Sequence, residues 1–313
     1  MLNGVPRGAA LVMTLDVRKL RASALGPAVL GESQSLAGVE GMTDACGFDP
    51  SGRVEELVLA APGAGRAANS SFGDFGILAF GPFRREQISA CAATLISRRG
   101  ASPGVTQVGS FTSVRNRAEP DTELAVRDGG PVLIGQGAFF RELIDVADGR
   151  APGLDIDDPH RKLRGRLGSG GTFVATLALE SGWLERLAGS SLARLSPLST
   201  LRTAAVRVDV GERLEVRVVV ACAAPEPCAE TALLFEQLVQ SELSGILERE
   251  LGPDGPKRIR IEARSTELEA LFWLDEREAS AFAGRAIEAL TRPAEEPRGR
   301  APLVEPDEIV RPP

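Results

Sequence analysis

The residues best suited to catalysis or metal binding lie in one short stretch, Asp155-Ile-Asp-Asp-Pro-His160, which holds the single histidine of the chain. Carboxylates from Asp155, Asp157 and Asp158, together with the imidazole of His160, would suit a divalent ion. The glycine and terminal glutamate of a calcium-binding loop do not follow at the required positions. Since aspartates are common turn formers, a solvated acidic loop that caps a helix is the simpler interpretation. Any Ser–His–Asp or Cys–His arrangement would also have to use His160.

Two glycine-containing segments could contact a small ligand, but their context favours ordinary connections. Gly168-Ser-Gly-Gly171 precedes a strand-like run, whereas a phosphate-binding loop follows a strand and opens a helix. The segment from Gly63 to Gly76 contains polar residues that a binding loop would use, and a hairpin connection uses the same types. The sequence therefore predicts no cofactor.

The four cysteines, Cys46, Cys91, Cys222 and Cys228, permit two disulfides. Cys222 and Cys228 enclose Ala-Ala-Pro-Glu-Pro, and the two prolines favour a closed loop. The spacing matches neither a zinc knuckle nor a redox Cys-x-x-Cys motif. A 222–228 disulfide and a 46–91 disulfide are the candidates, and four buried free thiols are the alternative, since spacing alone does not fix the connectivity.

Charge argues against nucleic-acid binding, and hydropathy argues against a transmembrane helix. The formal net charge is −7, and an acidic surface repels nucleic-acid backbones, so we expect no nucleic-acid partner. Glu262, Glu267 and Glu269 are interleaved with the one basic strand-like run, Lys257–Arg264, which favours cross-strand ion pairs over phosphate binding. No apolar run approaches the ~20 residues that a transmembrane helix needs.

Hydrophobic periodicity predicts an α+β fold. Apolar residues recur at three- and four-residue spacing over Arg84–Arg99, Ala138–Ala147 and Ala229–Leu251, which predicts three amphipathic helices. The strands of the second half alternate between charged and apolar residues, which indicates one solvated face and one covered face. We therefore predict two similar two-layer lobes with mainly antiparallel sheets and helices packed on one face.

The same order of elements recurs in both halves of the 313-residue chain, which indicates an internal duplication. The predicted organisation is an N-terminal lobe at 1–148, a linker at 149–171 and a C-terminal lobe at 172–292. Residues 293–313 carry six prolines and little apolar content, so we predict a disordered tail.

The opening of the chain, with Val5-Pro6, Ala9-Ala10-Leu-Val, Asp16 and Leu20-Arg21-Ala-Ser23-Ala-Leu-Gly26, resembles uncharacterised exported proteins and lipoproteins of myxobacteria and similar GC-rich bacteria. That resemblance implies export, with a signal peptide or a lipid-attachment cysteine before the first strand. It implies no catalytic residues.

Three functional hypotheses follow. The leading one is a non-enzymatic cell-envelope module, binding or structural, whose partner is a protein or a small ligand. It would be periplasmic or envelope-associated if an upstream signal is removed, and cytoplasmic otherwise. The alternatives are a metal-assisted hydrolase with its site near residues 155–160, and a cytoplasmic scaffold subunit.

Overall fold

The structure is a computed structural model that describes residues 2–27, 29–30, 40–63, 74–118, 122–168, 170–179, 198 and 200–281. Within these residues, twelve strands form one sheet in the order β11-β12-β10-β9-β8-β1-β2-β3-β7-β6-β5-β4. The strands are β1 (Ala9–Asp16), β2 (Glu56–Pro62), β3 (Phe75–Phe80), β4 (Pro103–Val108), β5 (Phe111–Asn116), β6 (Thr122–Val126), β7 (Val132–Gln136), β8 (Phe173–Ala178), β9 (Leu201–Val210), β10 (Arg213–Cys222), β11 (Ile259–Arg264) and β12 (Glu267–Asp275).

Strands β1 and β8 meet at the centre of this sheet, where Val12 lies opposite Thr176. Outward from this seam the first half continues through β2, β3 and β7, and the second half through β9, β10 and β12. Every strand pair among the described residues is antiparallel. The α+β class and the mainly antiparallel sheet are therefore confirmed, whereas the division into two lobes and the duplication stay predictions.

Seven α-helices are described with both of their ends. They are α1 (Val17–Ala22), α2 (Glu40–Cys46), α3 (Arg85–Arg98), α4 (Gly137–Ala147), α5 (Pro159–Leu167), α6 (Pro225–Leu238) and α7 (Ser244–Leu251). A π-helical turn, Val239–Leu243, joins α6 to α7, and a further helix begins at residue 276. The predicted helix over 229–251 is thus one nearly continuous helical segment.

The helices cover both faces of the sheet, which corrects the expectation of a single covered face. Leu78 and Leu133 pack with α4, whereas their chain neighbours Ala79 and Val132 pack with Ile88 of α3. Because successive side chains of a strand point to opposite faces, α3 and α4 lie on opposite sides. In the second half, likewise, Val219 packs with α5 and Val220 packs with α6.

The charged face predicted for the second half is present on the side of α5. Arg207 lies opposite Arg217, and Asp209 lies opposite Glu215, so the four side chains share one face. Arg207 pairs with Asp209 at 2.5 Å, and Arg217 pairs with Glu269 at 2.5 Å. One ion pair within β9 and one between β10 and β12 therefore neutralise charges on this surface.

Candidate interaction site

The acidic loop before α5 does not bring its four candidate ligands together. Asp158 caps α5 by accepting a hydrogen bond from the amide of His160 at 2.9 Å. Asp155 pairs with Arg7, and Asp157 lies 3.4 Å from Lys162. Among the described residues no group of three or more His, Cys, Asp or Glu side chains is arranged to hold a metal ion.

This loop and helix occupy the segment expected to be a linker. Asp158 is a favourable residue at the helix cap, and Pro159 fits the first helical turn because no intrahelical bond is needed there. The apolar stripe of α5, formed by Leu163 and Leu167, is buried against Val174 of β8. The segment is therefore structured from residue 159 to residue 167.

His160 points into the protein, where it is 1% exposed. Its Nε2 lies 2.9 Å from the carbonyl oxygen of Ala9, and its Nδ1 lies 2.8 Å from the hydroxyl of Thr176. Since a carbonyl only accepts hydrogen bonds, Nε2 carries a proton. His160 thus joins β1 to β8 across the seam.

Arg164 makes the second contact across the seam from α5. Its guanidinium donates to the hydroxyl of Thr14 at 2.9 Å and to the carbonyl oxygens of Val12 and Val174 at 3.4 and 3.3 Å. Burial lowers the pKa of Arg164 to about 10, because desolvation disfavours the charged form. These contacts hold β1 and β8 together.

Both predicted disulfides are present, and none of the described cysteines is free. Cys46–Cys91 joins α2 to α3, and Cys222–Cys228 joins the end of β10 to α6.

An open surface depression of about 440 Å³ lies at the end of the β9–β10 hairpin, beside Trp273. Its cations already have acidic neighbours. Lys257 lies 2.9 Å from Asp254, and Arg258 pairs with Glu278. Arg213 likewise pairs with Glu215, so the cations of the depression are already paired and offer little to an anionic ligand.

The remaining candidates also have structural roles where they are described. The glycine segment at 168–171 follows the C-terminal end of α5, where Arg207 donates to the carbonyl oxygen of Leu167 at 2.7 Å. That is the negative end of the helix dipole, which disfavours a phosphate. Arg264 pairs with Glu262 at 2.5 Å within β11, and not with a glutamate of the neighbouring strand as expected for the basic run. Most of the 63–76 segment, and Trp183, lie outside the described residues.

The outermost strand of the first half, β4, differs from these sites because its exposed groups are backbone groups. In the part of the chain that the structure describes, β5 is the one strand that pairs with β4. The sequence of β4, Pro-Gly-Val-Thr-Gln-Val, contains no charge. Residues 105–107 are exposed, and Val105 is 57% exposed.

The register of the β4–β5 hairpin identifies which groups face outward. The amide of Arg117 donates to the carbonyl oxygen of Ser102 at 3.0 Å. Hydrogen-bonded pairs alternate along an antiparallel ladder, so residues 104, 106 and 108 bond to β5. Residues 103, 105 and 107 consequently direct their backbone groups toward the open edge. They present the amides of Val105 and Gln107 and the carbonyls of all three residues, since proline has no amide hydrogen.

The hairpin is held firmly at its two-residue turn, Gly109–Ser110. The amide of Ser110 lies 3.2 Å from a carboxylate oxygen of Asp148, and its hydroxyl donates to the same oxygen. These two hydrogen bonds, the hydroxyl first, hold the pKa of Asp148 below its ordinary value, and Arg150 and Arg127 add to the effect. Gly109 has a φ of +59°, and a Cβ there would lie 2.0 Å from Asp148 Oδ2. A side chain at this position would therefore be strained.

Below the turn, Arg127 links the same carboxylate to the core. Its guanidinium lies 3.7 Å from the Asp148 carboxylate and 4.8 Å from the centre of the Phe111 ring. Phe111 is fully buried in the main hydrophobic cluster of the first half. The edge strand is thus presented by a rigid support.

The sequence analysis assigned no hairpin to residues 103–116, so it did not predict this edge. The signal was present in Gly109-Ser110, a glycine-containing pair between two runs rich in Val and Thr, which is typical of a two-residue hairpin turn. Recognising that turn would have placed β4 outside β5. It would not have shown that β4 ends the sheet.

These features define a disulfide-bonded α+β protein with an unprotected sheet edge. Comparisons with protein-family models, curated proteins and solved structures found no match. None of the described helices has the length and apolar character required to cross a membrane.

Proposed function

We propose that the protein is a non-enzymatic binding module of the cell envelope, and that a partner protein docks on it by adding an extended strand to β4. The observation that carries the proposal is the exposed, uncharged and rigidly supported edge of β4. Backbone amides and carbonyls on such an edge recognise an extended peptide, as in other complexes formed by strand addition.

The lack of protection at this edge supports the proposal. Open sheet edges normally carry charged side chains, prolines or bulges that prevent pairing with other chains. In β4 the one proline is the first residue, and no lysine, arginine, aspartate or glutamate follows it within the strand.

The two disulfides support the proposed location in the cell envelope. Disulfides persist in oxidising compartments and are rare in the cytoplasm of most organisms. Three of the four disulfide cysteines, Cys91, Cys222 and Cys228, are each at most 7% exposed, so both disulfides are part of the packed structure. We therefore expect no titratable thiol in native protein, and four reactive thiols would contradict an envelope location.

The docking surface can be tested by blocking one edge at a time. The amide of residue 105 faces outward, so Val105→Pro removes an edge donor without breaking a β4–β5 hydrogen bond. Ala263→Pro is the matched control on β11, because the β11–β12 register places the amide of residue 263 on the outer side in the same way. We expect affinity capture to recover a partner with the wild-type protein and with Ala263→Pro, but not with Val105→Pro.

Equal recovery of that partner with all three proteins would contradict docking on β4. Circular dichroism and thermal unfolding of both variants provide the folding control, since only a folded Val105→Pro protein tests the edge.

A further inference from the structure

We propose that the strand received by β4 is β4 of a second copy of this chain, paired antiparallel about Val105. The proposal rests on the proposed docking edge and names its occupant. The resulting assembly would be a dimer with a local twofold axis and one sheet continuous through both copies.

The backbone groups of β4 match those of a second β4. In an antiparallel pair centred on Val105, the two Val105 residues exchange amide and carbonyl bonds. Gln107 of each copy then donates to the carbonyl of Pro103 in the other copy. This register satisfies every outward amide of both strands with four hydrogen bonds, and it places Pro103 where only its carbonyl is used.

The absence of charge on β4 favours self-pairing. A strand that meets its own copy brings identical or neighbouring side chains together, so a charged strand would often place like charges side by side. β4 has no such cost, because its side chains are Pro, Val, Thr, Gln and Val around one glycine.

The exposed valine selects the register. A pairing centred on Thr106 would also satisfy four amides, but it would place Val105 opposite Gln107. The pairing centred on Val105 brings the two valine side chains together, and each is 57% exposed in the single chain. Apolar contact between them removes this surface from water.

One strand pair buries less surface than the ~1,200 Å² at the lower end of stable interfaces. We therefore expect a weak, concentration-dependent dimer. Sedimentation velocity over a concentration series should show wild-type protein and Ala263→Pro moving from monomer toward dimer together. Val105→Pro should stay monomeric, since proline removes both central hydrogen bonds.

Single-cysteine cross-linking tests the register. Residues that form a hydrogen-bonded antiparallel pair lie ~5.5 Å apart at Cα, which is within disulfide reach. Under mild oxidation we expect Val105→Cys to give a disulfide-linked dimer on a non-reducing gel. Gln107→Cys is the matched control, because the two Cys side chains would be four residues apart along the strands, ~13 Å.

Cross-linking through Thr106→Cys in place of Val105→Cys would overturn this register. Wild-type protein that stays monomeric at all concentrations, with no Val105→Cys dimer, would overturn self-pairing itself. In that case capture of a different protein that is lost in Val105→Pro would still support the proposed function, whereas capture unaffected by Val105→Pro would reject both proposals.

Discussion

The two edges of the sheet end in different ways, although each is a short antiparallel strand backed by a helix. β4 carries no charge, whereas β11 carries Arg260, Glu262 and Arg264 at alternate positions. Arg260 also lies 5.4 Å from the Trp273 ring centre, and Arg264 pairs with Glu262. Charged side chains at an edge oppose pairing with another chain, because pairing would bury them without suitable partners. β11 is therefore protected against pairing with another chain, whereas β4 lacks this protection.

Each edge is supported by a helix that a disulfide holds, and the two disulfides close loops of very different length. Cys46–Cys91 spans 45 positions and ties down α3, which contacts β4 and β5. Cys222–Cys228 spans 6 positions and ties down α6, which contacts β11. On loop entropy alone we expect a loss of about 4 kcal/mol in the free energy of unfolding for Cys46→Ala with Cys91→Ala.

The corresponding loss for Cys222→Ala with Cys228→Ala should be about 2 kcal/mol. Guanidinium unfolding of both double variants measures the difference. A larger loss at the 222–228 bond would show that loop length does not decide how the two edges are stabilised.

A smaller effect is expected at the hairpin turns of the two halves. Gly109→Ala forces a side chain into the left-handed backbone region and against Asp148, so we expect a loss of about 1–3 kcal/mol. Gly211, in the β9–β10 turn, is the matched control, since nothing lies within 4 Å of a Cβ built there. Gly211→Ala should change the free energy of unfolding by less than about 0.5 kcal/mol. Equal losses in urea unfolding would mean that Asp148 does not constrain the β4–β5 turn.

The smallest effect is a pH dependence at the β4 end. The pKa of Asp148 is lowered in the folded protein, first by the Ser110 hydroxyl. A depressed carboxyl pKa stabilises the fold above the unfolded value of ~3.9, and this contribution is lost as pH falls through the folded pKa. Ser110→Ala should therefore lower stability at pH 7, and the difference from wild type should shrink below about pH 4.

Ser89→Ala is the control for this measurement, because the Ser89 hydroxyl donates to the carbonyl oxygen of Arg85 and not to a carboxylate. Its effect on the free energy of unfolding should be the same at every pH. A Ser110→Ala effect that is equally constant would exclude Asp148 as its origin.

The sequence predicts local features well in this protein. The stripe of α4, with Phe139, Phe140 and Leu143, appears as expected because burial of an apolar face follows the helical period. The Cys222–Cys228 bond was also predicted, since a short proline-containing loop holds its ends together.

Long-range pairing was not predictable in the same way. Nothing in the local pattern of Leu11–Leu15 indicates that β1 lies beside β8 rather than at an edge, and the apolar alternation of one strand is compatible with many neighbours. The coverage of both faces was missed for the same reason. The alternation of charged residues in β9 to β12 predicts one solvated face of the sheet. It does not predict that α5 packs on that same side, beside the seam between β1 and β8.

The pairing of β1 with β8 has a consequence for synthesis of the chain. Leu11 meets Leu177 only after more than 160 further residues have been made, so the inner side of β1 has no neighbour while the first half emerges from the ribosome. Closing so distant a contact is slow, and an uncovered strand is prone to aggregate in the meantime. Chains that end before β8 should therefore depend on chaperones, because the inner side of β1 has no partner in them.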